Sequence, residues 1–174
     1  MSAPSAKLLV WAGDHCACIR IIGRANFTSS IDFKALIDEL RQQHCSYFLL
    51  DLAECVLMDS TFLGVLAGFG LKLSTGNGHH GRHGIELANA NPRIVELLDT
   101  LGVLHLFKIA QDPLPLPGQA EVRTHAPANP TKTEVTRTCF EAHQVLIDIS
   151  PANAAKFKDV AQFLAEELKK AKAE

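Results

Sequence analysis

Apolar positions along the 174-residue chain alternate between short continuous runs and stripes of helical period. LLVW (8–11) and CIRII (18–22) are β-branched or aromatic runs on either side of AGDH, where Gly13-Asp14 supplies turn chemistry, so the pattern predicts a hairpin. In TSSIDFKALIDELRQQH, Ile31, Ala35, Leu36, Ile37 and Leu40 return near the helical period. Ser29 or Ser30 is the expected cap, with Asp32 in the first turn and Arg41 in the last. SYFLLDL (46–52) has the length and unbroken apolarity of a strand buried on both faces. After AECVLM (53–58), read as a loop, Phe62, Leu63, Leu66, Phe69, Leu71 and Leu73 leave almost no polar face before Lys72, so this helix must be largely covered. STGNGHHGRHG is a loop, IELAN a short strand, NPRIVELLDTLG a helix between Pro92 and Gly102, and LFKI a last strand. The expected order is β-β-α-β-α-β-α-β.

From Gln111 to Pro130 the periodicity stops and five of the eight prolines occur, so this stretch reads as a partly extended linker. Beyond it Val135, Cys139, Ala142, Leu146 and Ile149 follow spacings of four and three, as do Phe157, Val160 or Ala161, Leu164 and Leu168. Two amphipathic helices are expected, with Ser150 capping the second and Pro151 at its first position. The division is a domain over 1–110, a linker over 111–130 and a helical hairpin over 131–174. Such a hairpin cannot bury its stripes alone, so it should dock on the domain, on a second copy as a homodimer through these helices, or on a partner.

Composition narrows the function classes. Apolar residues at 47% and charged residues at 21% support a sizeable core. A net charge of −2 supplies no positive field to collect phosphate backbones, so a nucleic-acid partner is not expected. No apolar run approaches a membrane span or a signal peptide, which points to a cytoplasmic protein without membrane insertion. Five cysteines, at 16, 18, 45, 55 and 139, lack disulfide or zinc spacing and read as buried thiols; Cys16 and Cys18 share one side of a strand, expected to face the core. His79, His80 and His83 lie in a glycine-rich loop without a paired cysteine or carboxylate, a poor preformed metal site; no metal or other cofactor is expected. No spacing suggests a nucleophile with its base, and the expectation is a binding module and not an enzyme.

The chemistry gathers at MDSTFLGVL (58–66). Asp59 and Ser60 stand where a loop enters a helix, so either side chain can accept a hydrogen bond from the first-turn amides. Capping alone accounts for such residues; a functional meaning needs more than the triplet. The glycines at 64, 68 and 70 match no phosphate-binding loop and instead let the helix pack close to the sheet, at a cost of ~1 kcal/mol each relative to alanine.

FLLDL, the following MDSTFLGVL and the closing NPRIVELLDTLGVLHLFKI together resemble the STAS family, the anti-sigma-factor antagonist domain, over about residues 7–110, most specifically in Asp-Ser-Thr-x-Leu-Gly. The resemblance implies an α/β fold, a mixed β-sheet covered by helices on one side, here followed by a C-terminal two-helix extension outside the family's minimal domain. It also implies a phosphorylatable hydroxyl at the second helix, Ser60 on this alignment, with Thr61 as the alternative. The switch surface would comprise Asp51, Asp59, Ser60, Thr61 and Phe62. The sequence departs from the family pattern at Thr61, where serine is frequent, and at Phe62, where glycine is common and a ring changes the surface.

A phosphate at the helix mouth would be favoured by the dipole by ~0.3–1 kcal/mol, up to ~2, so the fold should survive it. The added charge would sit beside Asp59 and near Asp51, and a partner docked there would have to desolvate it, at ~2–5 kcal/mol. The first expectation is therefore a phospho-switched anti-sigma-factor antagonist whose unphosphorylated form binds an anti-sigma factor with serine kinase activity and frees a sigma factor. The alternative is a constitutive STAS subunit of a lipid-transport or stress-signalling scaffold complex. A third class, an enzyme or small-ligand sensor with the hairpin as a lid, would need a polar pocket.

Overall fold

The structure is a computed structural model that describes residues 5–74, 84–110, 123–125, 127 and 129–173. The elements run β1 (Lys7–Ala12), β2 (Cys16–Ala25), α1 (Phe27–Gln42), β3 (Tyr47–Asp51), β4 (Cys55–Met58), α2 (Ser60–Ser74), β5 (Gly84–Ala88), α3 (Pro92–Thr100), β6 (Phe107–Ile109), β7 (Arg123–Thr124), α4 (Lys132–Ile149) and α5 (Asn153–Ala173). β1 and β2 form the expected hairpin, with Trp11 opposite Cys18. The mixed sheet has the order β6-β5-β3-β2-β1-β7: the hairpin and the β1–β7 pair are antiparallel, and the β2–β3, β3–β5 and β5–β6 pairs are parallel.

Three local expectations are corrected. The cap of α1 is Asn26 and not Ser29 or Ser30: its Oδ1 accepts from the Thr28 and Ser29 amides, while Ser29 Oγ accepts from the Asn26 amide. AECVLM contains β4, which runs parallel to the end of β2 beyond an irregularity at Gly23/Arg24; four residues are too few to show a strand period. Within the stretch expected to be a partly extended linker, Arg123–Thr124 form β7 along β1, and 111–122 lie outside the described residues. Ser150 ends α4 instead of capping α5, which starts at Asn153 after a turn at Pro151. The loop carrying His79, His80 and His83 also lies outside the described residues.

The main core lies on the helix-covered face. Ile19 and Ile21 from β2, Phe48 and Leu50 from β3, and Phe33, Leu36, Ile37 and Leu40 from α1 are its fully buried centre. α3 adds Ile94 and Leu98, and the extension adds Ala142 and Leu146. Trp11, Cys18, Leu49 and Ala88 make a smaller cluster. Because Cys18 alternates with Ile19, this cluster is on the opposite face of the sheet, and Cys18 is buried away from the main core.

Candidate functional site

The site is built at the mouth of α2, where β4 delivers the chain into the helix. The Asp59 amide donates to Ala25 O at 2.9 Å, tying the entry point to the end of β2. Asp59 Oδ1 accepts from the Phe62 amide at 2.9 Å and Asp59 O from the Leu63 amide at 3.0 Å, so the acid is the cap. Burial raises its carboxyl above the ordinary aspartate range; the amides of Phe62, Phe27 and Thr61 and the nearby His143 oppose that rise without cancelling it.

With the cap supplied by Asp59, the half-buried Ser60 hydroxyl meets a side chain from the extension. Ser60 Oγ lies 2.9 Å from His143 Nε2, and His143 Nδ1 lies 2.7 Å from Cys139 O. A carbonyl only accepts, so Nδ1 carries the proton; in the neutral ring Nε2 is then an acceptor and the Ser60 hydroxyl donates to it. The imidazole is 5% exposed and its ring centroid lies 5.1 Å from that of Phe157 on α5.

The other expected surface residues separate. Thr61 is 5% exposed, its hydroxyl donating to Cys139 Sγ at 3.6 Å, so it lies under α4. Phe62 is fully buried, its centroid 5.0 Å from that of Phe33. That corrects its placement on the switch surface, since helical geometry turns the ring inward against α1. Asp51 is not gathered at Ser60 either. Its Oδ2 accepts from Arg20 Nε at 2.9 Å and its Oδ1 from Asn89 Nδ2 and the Ala53 amide at 3.1 Å, while the Arg20 guanidinium lies 5.2 Å from the Trp11 ring centroid. Alternation along β3 sends Asp51 to the face opposite Leu50 and the main core. Burial alone would raise its carboxyl, but Asn89, the Ala53 amide and Arg20 outweigh it and hold the acid below its ordinary range.

Gly64 has a different role from the expected approach to the sheet. A Cβ there would lie 2.4 Å from Ala142 O, so the missing side chain lets α4 press its backbone against α2. Sequence reasoning missed His143, Cys139 and Ala142 as neighbours of Ser60. The available signal was a lone histidine at 143, within the stripe that runs from Cys139 through Ala142 to Leu146.

The STAS domain family model matches residues 12–113, more than half of the chain. The chain belongs to the STAS domain family. The STAS match ends before α4, so His143 reaches Ser60 from outside the family unit. The solved structure of the anti-sigma factor antagonist SpoIIAA in its unphosphorylated form is similar, with a TM-score of 0.51 and 19% identity, covering 62% of this chain and 90% of that one. This likeness agrees with the mixed sheet and its helix-covered face. No curated protein matches the sequence.

Among the described residues no group of three or more metal-binding side chains occurs, and no helix is long and apolar enough to cross a membrane. A groove of about 400 Å³ between α1 and α4 carries Lys34, Asp38, Glu134, Arg137 and Glu141. None of these charges is buried, so they remain solvated instead of converging on a ligand.

Proposed function

We propose that this STAS protein is an anti-sigma-factor antagonist whose unphosphorylated Ser60 form binds an anti-sigma factor with serine kinase activity. It is then the kinase's substrate and not an enzyme itself. The observation that carries the reading is the division of labour at the helix mouth: Asp59 satisfies the amide, so the Ser60 hydroxyl is not required as a cap. A phosphate on Ser60 would add about −1.5 to −2 charges beside Asp59, and helix-terminal amides offset only part of that repulsion. The unphosphorylated state of the SpoIIAA neighbour and its description as an anti-sigma factor antagonist support the same reading.

The test is a paired capture from native lysate on full-length Ser60→Ala and Ser60→Asp baits, with mass spectrometry of the Ser60 peptide from the unmodified protein. A kinase-like protein held by the alanine form and lost from the aspartate form supports the switch. Equal retention, with no phosphate on Ser60 or Thr61, favours a constitutive STAS subunit of a transport or signalling scaffold. That second reading has one observation in its favour, the tight seating of α4 over Thr61 and Gly64.

A further inference from the structure

The extension occupies the place where anything reading Ser60 would have to dock. His143 holds the hydroxyl, Cys139 covers Thr61, and Ala142 presses on Gly64 one turn further along α2. The turn between α4 and α5 is tied down as well: buried Asn153 donates from Nδ2 to Leu101 O beyond α3 and to Leu146 O within α4, both at 2.8 Å. Between these points α4 sets Ala142 and Leu146 into the main core, with Val145 and Ile149 packed beside them. The ion pair that joins α4 to α1, Lys34 with Glu141 at 3.4 Å, is exposed. α5 buries only Asn153 and Ala161, while Val160 and Phe163 face outward. The hairpin therefore rests on the domain chiefly through α4.

We infer that the α4–α5 hairpin is a built-in, displaceable cap on the Ser60 surface, and that a kinase or protein partner gains access only when it moves aside. The partner clause rests on the proposed switch at Ser60; the cap itself does not. Phosphorylation replaces the hydroxyl proton that Ser60 Oγ gives to His143 Nε2 at 2.9 Å, so the modification removes this tie between the hairpin and the domain. Displacement exposes the Ala142 and Leu146 side of α4 together with the first turns of α2, so the two helices should open as one event. The cap needs no conformational change within the STAS sheet, because α4 touches it through α2 and α1.

Hydrogen exchange of the full-length protein under native conditions tests this without a kinase or partner. The expected result is a shared opening of amides in 134–149 and in 62–66 while β2 and β3 stay protected. N-ethylmaleimide labelling of Cys139, followed by peptide mass spectrometry, should report the same opening. Gly64→Ala, favoured by helix propensity but colliding with Ala142, should speed both readouts about tenfold or more. Gly68→Ala, whose Cβ would meet only Val145 at 3.8 Å, should leave them near the parent values. Exchange of α4 only together with β2 and β3, or a Gly64→Ala variant that loses protection throughout the sheet, would overturn the cap and make the hairpin an inseparable part of the fold. Absence of phosphate on Ser60 would instead defeat the switch and leave the cap standing.

Discussion

The two flanks of α2 are buried by opposite means. Toward α1 the helix presents Phe62 and Phe69 to Phe33, at centroid distances of 5.0 and 6.2 Å, a contact made by filling space with rings. Toward α4 it presents Gly64, and the contact is made by removing a side chain so that backbones meet. Large side chains pack by area and can adjust their rotamers. A glycine seam has nothing to adjust, so it tolerates α4 in one position or not at all. The aromatic flank lies inside the STAS match and the glycine flank joins it to the extension, which suits a permanent core on one side and a removable cover on the other.

The largest test of this contrast is Phe62→Ala. It should cost about 3–5 kcal/mol in urea unfolding and lower protection across the sheet and both helix flanks. A loss below about 1 kcal/mol would show that the rings do not hold the core. Leu146→Ala on the extension removes an equally buried side chain and should cost about 2 kcal/mol, near the low end for such truncations, because α4 can shift to fill the cavity. Its loss of hydrogen-exchange protection should be concentrated in α4 and the start of α2; a uniform loss would erase the difference between the flanks.

At the helix mouth, Asp59→Ala should cost about 1 kcal/mol as a lost cap, and Ser60→Ala less, measured by thermal unfolding at matched pH. The reverse ranking would return the capping role to the serine. The two aspartates should also respond oppositely to pH. The contribution of Asp51, whose folded pKa is lowered, is present above the ordinary value of 3.8 and is lost as pH falls through the folded value. Asp59, whose folded pKa is raised, contributes most below 3.8, and that contribution is lost as pH rises through its folded value. Asp51→Asn should therefore flatten the acid limb of the stability profile, whereas Asp59→Asn, which retains a capping group, should steepen it. Parallel changes in the two profiles would contradict these environments.

Much of this was legible in the sequence. The β1–β2 turn at Gly13-Asp14, the buried strand FLLD, the Pro92 start of α3 and the hydrophobic α2 all follow from patterns within about a dozen residues. The Asp-Ser-Thr-x-Leu-Gly stretch pointed to the family that the domain match supports. Other features left no local trace. β4 is too short for periodicity, and Asn26 displaced the nearby serines as a cap because its carbonyl side chain could reach two amides at once. Asp51 was grouped with Asp59 because both are acids near one motif, yet strand alternation sends it to the other face. His143 is separated from Ser60 by 83 positions.

By itself the sequence determined that α2 must be covered on nearly every side, since a helix with so little polar surface cannot face water. It also determined that an acid and two hydroxyls would stand at its entrance. Only the tertiary structure decided what covers it and which hydroxyl is reached. The hydrophobic effect carries no address, so apolar stripes specify burial without naming a neighbour. Which backbone slides against Gly64, and which side chain of α4 then falls over Ser60, depends on where the chain returns after residue 110.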